Sequence, residues 1–344
     1  MKVLEDCTLC PRECHVNRKA GHSGYCGMDG TLRVARAALH MWEEPCISGK
    51  KGSGAVFFSG CGLRCVYCQN RDIAIGDWGK EITVERLAEI FLELEEKGAA
   101  NLNLVTGVHY VDHIIEALDL GKKRGLGLRV VYNSGGYEKA ETLRRLEGYV
   151  DVYLPDMKYA ETELAKAFSN APDYPEVSRS AIEEMVRQTG PCVFDEDGYI
   201  KRGTIVRHLI LPGHTRNSIA VLKYLHQTYG DKIMISMMNQ FTPVYKQEKY
   251  TELNRRVTKR EYEKVLDVAL ELGIENGYFS SLSQAFGTHH PDVAVCDRQD
   301  TRTAERSCGN LILRTAEDRM SRQEWNQMLS YTDRAYTRTA AAMW

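Results

Sequence analysis

The chain has 344 residues, 43% of them apolar, and a formal net charge of −2. That length and composition suit a globular enzyme with one main domain, and a near-neutral balance offers no global attraction to nucleic acid or to an anionic membrane. No apolar run approaches the ~20 residues needed to cross a bilayer, and Met1-Lys2-Val3-Leu4-Glu5-Asp6-Cys7 lacks the apolar stretch of a signal peptide, so a cytoplasmic, reducing location is expected.

Cysteine dominates the first fifth of the chain. Cys7, Cys10, Cys14 and Cys26, spaced C-x2-C-x3-C-x11-C and studded with Pro11, Gly21, Gly24 and Gly27, predict a small knuckle over residues 1–50 that closes around a metal. Four thiolates suit structural zinc and a second iron–sulfur cluster alike. Next, Ala55-Val56-Phe57-Phe58 reads as a strand running into Ser59-Gly60-Cys61-Gly62-Leu63-Arg64-Cys65-Val66-Tyr67-Cys68-Gln69-Asn70.

There C-x3-C-x2-C folds three thiolates around one centre and leaves a fourth coordination position for a ligand. Structural zinc would want a fourth Cys or His at finger-like spacing after Cys68, and none follows. Disulfides are disfavoured by an odd count of 11 cysteines and a chain too large to need staples. A thiolate-bound iron–sulfur cluster with one open iron fits best. Cys46 and Cys192 are isolated and expected to be packed.

Beyond the loop, strands alternate with amphipathic helices. Val84, Leu87, Phe91 and Leu94 share one face of a helix over Thr83–Glu96, ended by Gly98. A strand at Asn101–Val105 precedes a helix over Tyr110–Arg124 with Val111, Ile114, Ile115 and Leu118 buried. Arg129–Tyr132 is the third strand, followed by a helix from Glu138, and Asp151–Leu154 is the fourth. Thr204–Leu211 is the fifth, with Asn217 capping the helix that carries Val221, Leu222 and Leu225. Lys232–Met238 is the sixth, and a helix over Lys259–Leu272 stops at Gly273.

Six strand-then-helix units predict an α/β fold with a parallel, right-handed sheet over residues 51–279. Lys122-Lys123-Arg124 and Arg255-Arg256 read as solvated helix ends. From Ser280 to Trp344 lysine disappears and Arg, Thr, Ala and Ser dominate. This divergent tail, 280–344, is expected to be poorly ordered, either an accessory extension or the product of an altered reading frame, with no role assigned to Cys296 and Cys308.

The cysteine loop, with aromatic Tyr67 before its last cysteine, resembles the signature of the radical S-adenosylmethionine (SAM) superfamily. Further stretches are similar to the pyruvate formate-lyase activating enzyme family, in particular its branch with a cysteine-rich N-terminus: Cys7-Thr8-Leu9-Cys10-Pro11-Arg12-Glu13-Cys14, Asn103-Leu104-Val105-Thr106, Tyr132-Asn133-Ser134-Gly135-Gly136-Tyr137-Glu138, Tyr153-Leu154-Pro155-Asp156-Met157-Lys158, Arg207-His208-Leu209-Ile210-Leu211-Pro212-Gly213 and Asn239-Gln240-Phe241-Thr242-Pro243.

The resemblance implies a partial (β/α)6 TIM-like barrel, whose chemistry sits where the C-terminal ends of the strands open together. It implies a 4Fe-4S cluster on Cys61, Cys65 and Cys68, with the SAM amino and carboxylate groups on the open iron. Reductive cleavage then gives methionine and a 5′-deoxyadenosyl radical that abstracts hydrogen from a glycyl-radical protein or an unidentified small molecule. A flavodoxin or ferredoxin is the implied electron donor.

Lys158, with Arg207, would neutralise the SAM carboxylate; Asp156 would accept from an ammonium or ribose hydroxyl. Asn133 and Ser134 would meet the methionyl or ribose part, Tyr67 the adenine, and Asn239 and Gln240 would close the ring of polar strand ends. Each has a plainer reading: Asp156 and Lys158 as an ion pair, Arg207 as the brace of a carboxylate, Asn133 as a turn residue.

Many activating enzymes carry Gly-Gly-Glu after strand two. Here Val105-Thr106-Gly107-Val108-His109-Tyr110 stands instead, so Thr106 or a backbone carbonyl takes that part, and His109 is read as structural more readily than as a substrate contact. A non-catalytic iron–sulfur or zinc scaffold is the alternative to the enzyme.

Overall fold

The computed structural model describes residues 4–76, 78–280 and 293–295. In chain order the elements are β1 (Arg33–His40), α1 (Pro45–Ser48), β2 (Ser53–Phe58), α2 (Arg71–Ile75), β3 (Lys80–Glu81), α3 (Val84–Glu96), β4 (Leu102–Val105), α4 (Val111–Lys123), β5 (Val130–Ser134) and α5 (Ala140–Arg144). There follow β6 (Val152–Pro155), α6 (Thr162–Ser169), α7 (Tyr174–Thr189), β7 (Val193–Phe194), β8 (Ile200–Leu209), α8 (Thr215–Tyr229), β9 (Met234–Met238), α9 (Lys259–Glu271), β10 (Gly277–Ser280) and β11 (Val293–Val295).

The sheet runs β11-β10-β9-β8-β6-β5-β4-β2-β1-β3, with β7 paired to β8. Its central strands β2, β4, β5, β6, β8, β9 and β10 are all parallel. This is a partial TIM-like barrel, left unclosed. All six expected strands are present, and β10 adds a seventh parallel one. The expectation for 280–344 falls, apart from Ser280 and 293–295, outside the described residues, as do Cys296 and Cys308.

Period-two alternation sorts the strand residues between two faces. Val56, Leu102, Leu104, Val130, Tyr132 and Tyr153 pack outward with Leu87, Phe91, Ile114 and Leu118 of α3 and α4. Val206, Ile235 and Met237 pack with Val221, Leu222 and Val265 of α8 and α9. The inward face is filled differently: Val131, Val152, Leu154, Ile205, Met234 and Tyr278 close around Cys46 and Ile47 of the short α1. The connection between β1 and β2 thus plugs the barrel. Asn101 at the start of β4 holds it there, donating from Nδ2 to the Ile47 carbonyl at 2.7 Å.

Two local expectations change. Asn217 lies inside α8 rather than capping it; its side chain accepts from the Ala160 N–H at 2.8 Å and donates to the Lys158 carbonyl at 3.0 Å, bracing the segment after β6. The helix expected from Glu138 is the brief α5, and the long helix of this region is α7, started by Pro175 in its first turn.

Candidate active site at the mouth of the barrel

A parallel sheet delivers the C-terminal ends of its strands to one side, and there the expected residues fall. The cysteine loop leaves β2, Thr106 follows β4, Asn133 and Ser134 end β5, Asp156 follows β6, Arg207 sits near the end of β8, and Asn239 follows β9. Asp156 and Arg207 also form a parallel bridge beyond the regular β6–β8 pairing.

Arg207 is the hub of the inward-facing polar layer. Its Nε donates to Asp156 Oδ1 at 3.0 Å, one terminal nitrogen to Glu43 Oε2 at 3.1 Å and the other to Asn133 Oδ1 at 2.6 Å. Glu43 Oε1 also accepts from Asn103 at 3.1 Å and Asn133 at 3.3 Å. Lys158 Nζ reaches Asp156 Oδ2 at 2.5 Å. The result is a chain of alternating charge, Glu43–Arg207–Asp156–Lys158, directly above the apolar plug.

Its electrostatics follow from burial and pairing. Burial alone would push the Asp156 carboxyl up, but Lys158 and Arg207 outweigh it and hold it below the usual carboxylate range. Burial would likewise lower Lys158 and Arg207, yet Asp156 beside both raises them. Burial raises Glu43 and Glu44 despite the nearby Arg207.

Glu43 and Glu44 were not singled out from the sequence. They follow a strand and precede Pro45, the setting of an ordinary solvated turn, and only the pairing of β1 along β2 carries them to the barrel interior. Arg207, for its part, is engaged by protein on three sides, so the geometry favours its reading as a brace.

The turns around this layer are tightly set. Gly136, at φ 73°, has no room for a side chain: a Cβ there would clash with the Asp156 carbonyl oxygen. The Tyr174 hydroxyl accepts from the Lys158 N–H at 2.9 Å and lies 2.8 Å from the Gly135 and 2.9 Å from the Asp156 carbonyl oxygens, tying the ends of β5 and β6 to α7. Thr106 has a φ of 59°, a left-handed conformation that costs a β-branched residue about 1–3 kcal/mol. Its N–H donates to the Asn133 carbonyl at 2.9 Å.

The remaining expected residues are less central. Ser134 is buried, accepting from the Gly136 N–H at 3.2 Å. Asn239 is buried, and Gln240 is exposed with its Nε2 3.3 Å from Met238 Sδ. The Tyr67 hydroxyl pairs with that of Tyr159 at 2.9 Å, and its ring meets Phe168 and Phe241 edge-on. His109 lies apart from the strand ends' polar layer: its Nε2–H donates to the Ser59 carbonyl at 2.7 Å, and burial lowers it to about 3.

Cys61, Cys65 and Cys68 are free thiols, half-buried. The Leu63 N–H approaches Cys61 Sγ at 3.4 Å and the Ser169 hydroxyl approaches Cys65 Sγ at 3.0 Å. Donors aimed at sulfur are what thiolates of an iron–sulfur cluster use. Burial first, then the neighbouring thiols, pushes Cys68 up to about 12; burial likewise raises Cys65, with Lys158 opposing. Three thiols so placed fit a metal centre whose positive charge keeps them ionised. Among the described residues no group of three or more His, Cys, Asp or Glu is gathered as a single-ion site. A cluster, whose cysteines bind separate irons, asks for no such collapse.

Residues 55–225 match the family model described as Radical SAM superfamily. The chain belongs to that superfamily. Membership implies a 4Fe-4S cluster and SAM cleavage, and the match begins in β2 and includes the cysteine loop. An uncharacterised protein of Methanocaldococcus jannaschii, MJ0674, is 27% identical over 280 residues, covering 79% of this chain and 77% of that one. The pyruvate formate-lyase-activating enzyme of Clostridium pasteurianum is 29% identical over 113 residues, covering 31% of this chain and 46% of the enzyme.

Among solved structures, methylornithine synthase (PylB) aligns with TM-score 0.43 and 16% identity, covering 62% of this chain and 58% of that chain. The AdoMet-bound anSMEcpe aligns with TM-score 0.42 and 12% identity, covering 62% and 55%. This chain therefore spans less than two thirds of either structure and less than half of the activating enzyme.

Proposed function

We propose that the protein is a radical SAM enzyme whose cluster is held by Cys61, Cys65 and Cys68 and whose SAM lies over the Arg207 layer. The observation that carries this is the three-thiol loop facing a buried, internally neutralised chain of charge at one barrel mouth. Bound there, cluster and SAM supply reductive C–S cleavage and a hydrogen-abstracting radical.

The chain's own residues do the rest. Lys158, held by Asp156 and near Cys65, presents positive charge toward the SAM carboxylate. Asn133 and Asp156, oriented by Arg207, serve as acceptors for hydroxyl or ammonium groups. Thr106, in place of an acidic side chain, offers backbone groups to the SAM amine, and Ser134, Tyr67, Asn239 and Gln240 line the remainder. The apolar plug beneath excludes water from the radical's path.

For the finer activity, the partial similarity to an activating enzyme supports hydrogen abstraction from a glycine of a glycyl-radical protein, with a low-potential flavodoxin or ferredoxin as donor and a cytoplasmic location. No described helix is long and apolar enough to cross a membrane. The test is anaerobic incubation of reduced protein with SAM, reading 5′-deoxyadenosine and methionine. Formation of both, lost in Cys65→Ala, is expected; intact SAM under full reduction would favour a non-catalytic scaffold.

A further inference from the structure

The knuckle carries more than a fold-stabilising metal requires. Cys7 and Cys26 are buried while Cys10 and Cys14 reach partly to solvent. Backbone bonds from Cys7 N–H to the Val16 carbonyl and from His15 N–H to the Cys7 carbonyl, both 3.1 Å, hold the first turn, and the Tyr25 N–H approaches Cys14 Sγ at 3.2 Å. A Cβ built on Gly24 would stand 3.3 Å from Cys14 Sγ, so this glycine lets the second half of the knuckle close on the first.

The knuckle also lies directly on the cysteine loop. A Cβ on Gly62 would stand 3.8 Å from Cys10 Sγ, and one on Gly60 would stand 2.8 Å from the Cys26 carbonyl oxygen. These two glycines flank Cys61. Arg12, between Cys10 and Cys14, donates to the Gly62 carbonyl at 2.8 Å and to the Asn170 and Ser169 carbonyls at 2.6 and 2.9 Å, and its guanidinium stacks 4.0 Å from the Tyr25 ring centroid. Ser169 is the residue whose hydroxyl meets Cys65 Sγ. One arginine therefore bolts the knuckle to both ends of the loop's sulfur environment.

From this placement we infer that Cys7, Cys10, Cys14 and Cys26 bind an iron–sulfur cluster that takes an electron at the surface and passes it to the cluster of the Cys61 loop. The inference rests on the radical SAM reading of that loop. Two buried and two partly exposed thiols in one knuckle suit a cluster that a donor protein can approach from solvent. A redox-inert ion would also leave unexplained why a partly exposed metal site touches the backbone one residue from a ligand of the catalytic cluster.

The step balances as a one-electron relay. A low-potential, one-electron donor protein is oxidised as the knuckle cluster is reduced, and the same electron moves on to the loop's cluster. No bond or proton changes hands between the clusters.

The test uses the full chain, reconstituted anaerobically with iron and sulfide. Wild type should hold about eight irons and no zinc; the Cys61→Ala/Cys65→Ala/Cys68→Ala variant should keep about four, with a reducible paramagnetic signal. Zinc, or no iron, in that variant would overturn the proposal. If wild type and variant both hold only about four irons, the relay falls because the loop reading has failed, and the knuckle cluster survives it.

Function separates a relay from a structural cluster. In Cys14→Ala, the ratio of SAM cleavage driven by a reduced ferredoxin to that driven by dithionite should fall about tenfold or more, equivalent to 1.4 kcal/mol in barrier. An unchanged ratio in a folded variant that has lost its knuckle cluster would sink the relay. Should Cys14→Ala fail to fold, rapid mixing of wild type with reduced ferredoxin decides the matter: the knuckle's signal must appear no later than that of the loop's cluster, and the reverse order overturns it.

Discussion

Arg207, expected either to help neutralise the SAM carboxylate or to brace a carboxylate, is held by three protein partners. Truncation would take one hydrogen bond from each of these partners, two of them carboxylates, and remove the positive charge between Glu43 and Asp156 in a buried layer. Arg207→Met is therefore expected to cost about 3–5 kcal/mol in urea unfolding, the usual price of stranding buried charge. Arg207→Lys, keeping the charge but losing the planar fork, should recover only part of it. A loss of SAM affinity in Arg207→Met with unchanged stability would instead assign the side chain to the ligand.

Glu138 offers a second residue-scale check. Burial raises its carboxyl to about 8, with Ser134 and Tyr132 opposing. Because the folded value lies above the unfolded one, its contribution is fully present below about pH 4.5 and is lost as pH rises to 8. Glu138→Gln should match wild type at pH 4 and exceed it by roughly 4 kcal/mol at pH 8. A constant difference across that range would contradict the buried, neutral acid. Residues such as Asp156 and Lys158 were legible because strand ends announce themselves; Glu43 and Glu44 were not, since their role depends on where a hairpin lands.

At the scale of elements, α9 was readable to within a residue because its signals are local. Thr258 caps it, accepting from the Glu261 N–H, while Glu261 accepts from the Thr258 N–H at 2.8 Å. Glu261 also receives the Gly213 N–H at 2.7 Å, fastening the turn before α8. Thr258→Ala should cost about 1 kcal/mol in chemical denaturation. Arg255 first, against some desolvation, holds the Glu261 carboxyl well below its usual value, so the stability it adds is present above about pH 4.5 and fades in more acidic solution. An effect of Thr258→Ala below a few tenths of a kcal/mol would show that packing, not capping, sets this end.

By contrast α7 was passed over although Ala181, Ile182 and Met185 carry helical spacing. Its polar face dilutes the pattern. Likewise β10, only Gly277–Ser280, becomes a strand through parallel pairing with β9, a long-range contact that no local signal encodes.

Across the whole molecule, three histidines tie separate parts of the fold to a neutral state. His40 ends β1, His109 locks the start of α4 to the Ser59 carbonyl, and His208 fastens β8 to α8, donating from Nδ1 to the Met157 carbonyl at 2.6 Å and facing the Ser218 hydroxyl at 2.9 Å. Burial lowers them to about 4, 3 and 4, respectively. The unfolded chain, with histidines near 6.5, binds more protons between these values, so the stability these three contribute is fully present above about pH 6.5 and falls as pH drops toward 4.

Each histidine contributes a slope of up to about 1.4 kcal/mol per pH unit in that window. Together they should make the protein less stable in mild acid, against the opposite slope of Glu138. His208→Gln, whatever its cost at pH 7.5, should flatten the dependence between pH 6 and 5 by close to one proton's worth. Unfolding free energies measured at half-unit steps give that slope directly. A variant as steep as wild type would mean that His208 is already charged in the folded barrel, and the Nδ1-protonated neutral form drawn from its two hydrogen bonds would have to be given up.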